Sequence, residues 1–187
     1  MRPTITKIIK KGNILLAEPS LNDDTFTRSV VYLTSHGRQG TLGFVLNQPT
    51  GSVLAGLIPD LDIDLAVYRG GPVNTYNLYY VHSRADLIEN AIPVVGDIFL
   101  AGNFNLVKTH LSNGNLNADN IKFFLGCSSW SSGQLEDELD REAWIMLDRL
   151  NPNLFSDFEQ NLWKCEMIGL GGSHVIWANA PKNPNWN

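Results

Sequence analysis

The period of apolar and polar positions changes repeatedly along the chain, and each change marks an element. Ser29-Val30-Val31-Tyr32-Leu33-Thr34 is rich in β-branched and aromatic side chains and reads as a strand. His36-Gly37-Arg38-Gln39-Gly40 supplies a turn, and residues 41–46 run back toward Asn47-Gln48-Pro49, so the two strands form an antiparallel hairpin. Beyond Pro49-Thr50-Gly51, residues 52–58 read as a short helix. Further strands are expected over 65–69, stopped by Gly70-Gly71-Pro72, and over 77–82 and 97–101. Phe104, Leu106, Val107 and Leu111 suit one face of a helix over 103–111, which Asn113-Gly114 ends with residues that tolerate a left-handed backbone. Residues 121–127 form an apolar run of a strand's length, and 133–141 a helix with Leu135 and Leu139 one turn apart. The nearly unbroken apolar run 143–147 suits a strand covered on both faces. A last helix is expected over 158–168, ending at Gly169. Beyond Gly171-Gly172, the stretch with Trp177 and Trp186 among Asn and Pro reads as an irregular tail, above all over 179–187. Hairpin-joined strands interspersed with short helices point to an α+β fold rather than a doubly wound parallel sheet.

Composition narrows the class. A chain of 187 residues with 43% hydrophobic content can bury a sizeable core without disulfides or metal. No repeat, low-complexity tract or Gly/Ser linker divides it, so residues 1–187 read as a single domain. Cys127 and Cys165 lie in separate segments without CxxC spacing, as isolated thiols of a reducing compartment do. With His36, His82, His110 and His174 equally scattered, neither a metal site nor a cofactor is implied. The start is basic (Arg2, Lys7, Lys10, Lys11), but the apolar run 14–17 is far shorter than the roughly 7–15 residues of a signal-peptide core. No window reaches the roughly 18 apolar residues of a membrane span. The expected location is the cytoplasm, away from membranes. A net charge of −5 disfavours direct nucleic-acid binding, which needs clustered Lys and Arg.

Several short patterns suggest chemistry, and most have a plainer explanation. Asp60-Leu61-Asp62-Ile63-Asp64 alternates carboxylates as a calcium loop does, yet Leu65 and Gly71 stand where that loop needs Gly and Glu. A half-buried extended segment fits better. No GxxxxGK[ST], GxGxxG or GxSxG pattern occurs, and Gly169-Leu170-Gly171-Gly172 reads as a helix stop. Gly126-Cys127-Ser128-Ser129-Trp130-Ser131-Ser132-Gly133 is a strand-to-helix turn whose hydroxyls could serve a hydrolase. Ser131 and Gln134 also spell a capping box, and Glu136 and Asp137 complement the helix dipole beside them. Arg69-Gly70-Gly71-Pro72 joins a fixed positive charge to a glycine corner, able to cradle an anion or to form a tight turn. Arg28 either pairs with Asp23 or Asp24 or projects into a cleft.

Four elements in order resemble the AlgH/YqgE family of bacterial proteins. They are Phe26-Thr27-Arg28-Ser29-Val30-Val31-Tyr32-Leu33, Gly43-Phe44-Val45-Leu46-Asn47-Gln48-Pro49, Arg69-Gly70-Gly71-Pro72-Val73 and Gly133-Gln134-Leu135-Glu136. Gly12-Asn13-Ile14-Leu15-Leu16-Ala17 and Phe99-Leu100-Ala101-Gly102 fit as well, so the resemblance spans about residues 10–178. It implies an α+β fold whose bifurcated, mostly antiparallel sheet curls into a pseudo-barrel flanked by helices. It also implies a transcriptional-regulator label without a mechanism, and no helix-turn-helix signature accompanies that label here. Where the family carries a Gly-Trp-Gly-Pro-like turn before Gly-Gln-Leu-Glu, this chain keeps Trp130 among Ser129, Ser131 and Ser132.

The reading that joins these features is a non-enzymatic binding or regulatory protein with no catalytic or metal-ligating residues. Arg28, Asn47, Arg69, Gly70, Gly71, Trp130 and Gln134 would form a concave site for a protein segment or a small anionic ligand. The alternatives are a hydrolase using Ser128 to Ser132 and a direct DNA-binding regulator.

Overall fold

The computed structural model describes residues 8–19, 25–147, 154–155 and 161–181. The fold is α+β, and the described residues form ten mostly antiparallel strands in one sheet and four α-helices. The strands are β1 (Ile14–Ala17), β2 (Val30–Gly37), β3 (Gly40–Val45), β4 (Pro49–Val53), β5 (Ala66–Arg69), β6 (Val73–His82), β7 (Ile92–Val95), β8 (Ile98–Leu100), β9 (Ile121–Trp130) and β10 (Trp144–Leu147). The helices are α1 (Phe104–Ser112), α2 (Gln134–Asp140), α3 (Leu162–Leu170) and α4 (Ser173–Asn179).

The main path runs β10-β1-β2-β3-β9-β6-β8-β7. The ten-residue β9 makes it branch. Its first half pairs antiparallel with β6 and parallel with β5, through Val67↔Phe123 to Arg69↔Leu125, while its second half pairs with β3. β4 adds to the outer edge of β5. The path curls without closing, so β10 and β7 remain its two ends. Lys11, just ahead of β1, donates from Nζ to the Pro93 carbonyl of β7 at 3.0 Å.

Side-chain alternation explains the curl. Ile14, Leu16, Val30, Tyr32 and Phe44 face one core, which Val81, Val94 and Ile98 enclose from the far side and Trp163 and Met167 of α3 cover. The intervening Leu15, Val31, Leu33 and Val45 face a second core with Trp130, Leu135 of α2 and Trp144. A third core lies under α1, where Val107 and Leu111 meet Tyr80, Ile121 and Phe123. β1, β2 and β3 therefore separate two apolar layers, which is why β1 reads as an unbroken apolar run rather than an alternating one.

The β2–β3 hairpin forms as the pattern predicts, with Gly37 opposite Gly40 across a two-residue turn. The helix expected over 52–58 does not form. Residues up to Val53 pair with β5, and only a single 3-10 turn, Leu54–Gly56, follows. The Leu54 and Ala55 amides donate to the Leu65 and Ile63 carbonyls, so the neighbouring segment replaces the helical partners. That neighbour carries the Asp60–Asp64 alternation, and there Leu61 is buried while Asp62 and Asp64 are exposed. The stretch beyond Gly171-Gly172 is not irregular through Trp177. Positive φ at both glycines reverses the chain into α4, which packs on α3. Consecutive Val175-Ile176-Trp177 carries no helical period, so local pattern could not reveal it. The last expected helix begins at Leu162; residues 158–160 and Trp186 lie outside the described residues.

Candidate functional site

Asn47 and Gln48, directly after β3, tie two separate segments together. Asn47 Oδ1 accepts the Val30 amide at 2.9 Å, and its Nδ2 donates to the Arg28 carbonyl at 2.9 Å. Gln48 Nε2 donates to the Thr25 carbonyl at 2.8 Å, while its own carbonyl accepts the Arg69 amide at 2.8 Å. One dipeptide thereby fixes the 25–30 turn on one flank and the end of β5 on the other. Arg28 itself has φ 54°, a left-handed conformation uncommon for a non-glycine residue, which the Asn47 contact holds in place.

The facing wall is the α3–α4 hairpin. Trp163 is buried and donates its indole N–H to the Ala17 carbonyl at 2.9 Å, which seats α3 on β1. The Arg28 guanidinium lies 5.1 Å over the Trp163 ring and donates an Nη hydrogen to the carbonyl of Ala180, the residue that caps α4. Between the walls is an open cavity of about 850 Å³, lined among others by Arg28, Asn47, Gln48, Arg69, Lys164 and Asn179.

Electrostatics give this cavity its character. Arg28, Arg69 and Lys164 reach it from three different elements, and no described lining residue is a carboxylate. Burial holds the Arg28 guanidinium below its usual pKa, since a carbonyl and a π face compensate its charge only in part. Among the described residues none of the three cations is in an ion pair. Asp23 and Asp24, the expected partners of Arg28, lie outside them.

Gly70 and Gly71 have a packing role that accounts for both. A Cβ on Gly70 would stand 2.2 Å from the Gly126 carbonyl oxygen, and one on Gly71, at φ 151°, would stand 2.4 Å from the Cys127 backbone. The Gly70 amide donates to the Leu125 carbonyl at 2.8 Å, and its carbonyl accepts the Val45 amide and the Ser128 hydroxyl, both at 3.0 Å. The corner is pressed against β9, and Arg69 projects from its rim.

Trp130 and Gln134 lie with α2 and do not line the cavity. The Trp130 indole stacks with Phe26 and meets Trp144 edge-on, and its N–H donates to Glu138 Oε2 at 2.8 Å. The expected capping box does not form, since α2 begins at Gln134 with Gly133 at its N-cap and no side-chain cap bond; Gln134 Oε1 accepts the Ser131 amide at 3.0 Å, and its Nε2 donates to Glu138 Oε1 at 2.9 Å. In the serine-rich stretch, Ser128 is fully buried with its hydroxyl on Gly70, and Ser129 sits on β9 opposite Leu42. Nothing in the sequence marks Trp163 or Lys164 as site residues. No spacing rule could find them, because the cavity forms only when α3 packs across the sheet; the Arg28–Ala180 bond alone spans 152 positions.

The architecture is that of an α+β protein built on a branched, curled sheet. The AlgH-like family model, DUF179, matches residues 14–175, and the chain belongs to that family. A UPF0301 protein of Chlorobaculum tepidum is 32% identical over 182 residues, 97% of each chain. One of Parabacteroides distasonis is 35% identical over 180 residues, 95% of this chain and 91% of the relative. The solution structure of the AlgH protein from Pseudomonas aeruginosa is similar at a TM-score of 0.70 and 26% identity, over 91% of this chain and 94% of that one. The crystal structure of a Corynebacterium diphtheriae protein shares the fold at a TM-score of 0.75 and 19% identity, covering 92% and 93% of the two chains.

Proposed function

We propose that this AlgH-like chain is a non-enzymatic binding or regulatory protein whose cleft takes a small anionic ligand. The observation that carries the reading is the convergence of Arg28, Arg69 and Lys164 on one cavity with no carboxylate among its described lining residues. Its volume of about 850 Å³ falls within the roughly 300–1,000 Å³ typical of small-molecule sites. Asn47 and Gln48 hold the backbones of Arg28 and Arg69 before any ligand arrives, and preorganisation of this kind lowers the entropic cost of binding. The burial of Ser128 and its bond to Gly70 favour binding over hydrolysis. A net charge of −5 favours ligand sensing over direct DNA contact for any regulatory role.

Titration calorimetry with inorganic phosphate and with citrate tests the reading. At least one should bind the native chain, and Arg69→Ala should weaken that binding about tenfold, the loss of a charge-assisted bidentate contact. Absence of binding by both anions and by a hexose bisphosphate, or equal affinity in the variant, overturns it.

A further inference from the structure

We propose that the ligand is a small organic molecule carrying two separate anionic groups, and that it clamps the α3–α4 hairpin against the ends of β3 and β5. This rests on the anion-binding reading above and adds the ligand's class and its mechanical effect.

The cations are divided between two bodies. Arg69 ends β5 and Arg28 sits in the turn before β2, the backbone of each tied to the Asn47-Gln48 dipeptide, whereas Lys164 rides on the first turn of α3. An anion that meets both Arg69 and Lys164 joins the two walls of the cleft. A cavity of about 850 Å³ is far larger than a lone phosphate, given that a water molecule occupies about 30 Å³ in the liquid.

The free hydrogen-bonding groups point the same way. Both ends of the Asn47 amide are used on backbone, Gln48 Nε2 is used on Thr25, and Asn179 Nδ2 is used on the Val175 carbonyl at 2.9 Å. What remains is dominated by the N–H groups of Arg69, Lys164 and the unused face of Arg28, which are donors without acceptors. The three cations on this lining favour a ligand with negative charge over a neutral polyol or nucleoside. Carboxylate and phosphate oxygens match it, and the planar Arg fork suits either.

Clamping follows from where the hairpin is held. Met167 and Ala178 seat the hairpin in the core, its side-chain hydrogen bonds Trp163 to Ala17 and Arg28 to Ala180 lie beside the cavity, and Ile168, Ile176 and Trp177 remain exposed. A molecule bridging Lys164 to Arg69 adds a second link at the same seam. Joining two charged groups on one frame makes the second contact intramolecular, which raises affinity without a new kind of contact.

Calorimetry and amide hydrogen exchange on the native chain test this, with inorganic phosphate and acetate as single-group probes. A hexose bisphosphate and succinate are the two-group probes, so the pairs separate phosphate from carboxylate chemistry. One two-group probe should bind at least about tenfold tighter than its single-group counterpart and slow exchange over 162–180. Lys164→Met should abolish both the advantage and the protection, and Lys108→Met on α1, which changes net charge equally, should abolish neither. Two-group probes that bind no tighter than single-group ones overturn the inference and leave the anion-binding reading standing. An advantage that survives Lys164→Met also overturns it. Failure of all four probes overturns both.

Discussion

A single side chain at a strand end can do the work of a strand pair, and Asn47 is the clearest case. It satisfies the Val30 amide and the Arg28 carbonyl together, a job that in a longer hairpin would fall to backbone. Removing it strands a donor and an acceptor in a part-buried turn, so Asn47→Ala should cost about 2 kcal/mol in urea unfolding. Asn47→Asp should cost at least as much, because it keeps the acceptor for Val30 but turns a second oxygen on the Arg28 carbonyl. A loss below about 0.5 kcal/mol in either would mean the turn holds itself. Glu138 makes a sharper contrast. Its Oε2 accepts both the Trp130 and Trp144 indoles, at 2.8 and 2.7 Å, while Oε1 takes only the Gln134 amide. Glu138→Ala leaves two buried indole N–H groups unpaired and should cost about 2–4 kcal/mol. Glu138→Gln retains one oxygen able to serve both indoles, so it should stay within about 1 kcal/mol of the parent and keep its near-ultraviolet tryptophan dichroism. Equal losses in the two variants would assign the effect to charge rather than to hydrogen bonding.

At the scale of elements, the glycine corner shows what local pattern reveals and what it hides. Gly70-Gly71-Pro72 is legible as a stop after β5, but the need for glycine there comes from β9, some 55 positions away, pressed against it. Gly71→Ala should therefore lose about 3 kcal/mol or more, from strained φ together with backbone overlap. Gly56→Ala, on the exposed 3-10 turn with open space around its Cα, should stay within about 0.5 kcal/mol of the parent or gain slightly. Thermal midpoints of the two variants decide it, and similar values would mean the corner relaxes. The same distinction governs the rest of the fold. The β2–β3 hairpin and α1 were legible because period and turn residues agree within a dozen positions. β4 was not, because Pro49 and Gly51 carry no strand signal and its pairing with β5 supplies the order. α4 exists through packing on α3 and shows no amphipathic stripe. For the site, Arg28, Asn47 and Arg69 stood out beside turn residues, and the structure brings them to one cleft. Trp163 and Lys164 carried no mark, since a helix face acquires meaning only from what it packs against.

Among the described residues the apolar side chains fall into three cores separated by the sheet, so a buried polar group between layers depends on partners within the protein; the Ser29 and Tyr32 hydroxyls have none, whereas most others do. His82, at the end of β6, is fully buried in this way. Its Nε2 hydrogen is donated to the Ala101 carbonyl at 2.9 Å, and Nδ1 accepts the Arg84 amide at 3.1 Å, so both nitrogens are used by the neutral ring. Protonation would set an Nδ1 hydrogen against the Arg84 N–H and place a charge in the layer. Desolvation accordingly holds the His82 pKa below the ordinary value near 6.5, against the opposing pull of the Ala101 hydrogen bond and of Asp86. Asp86 is itself engaged by Arg84 through an exposed bidentate pair, which weakens its help to the imidazole. The sign of the linkage follows directly. Above pH ~6.5 neither state protonates this residue and its contribution to stability is complete. As pH falls through ~6.5 the unfolded chain takes up a proton that the folded chain refuses, so stability declines by at most about 1.4 kcal/mol per pH unit until the depressed folded pKa is reached. Urea midpoints measured from pH 7.5 downward should fall in that window for the native chain. His82→Gln should start lower, because Gln fills the layer less well, but should remain flat where the native chain declines. If the slope persists in His82→Gln, the proton uptake belongs to other groups and the neutral-imidazole account of this layer is wrong.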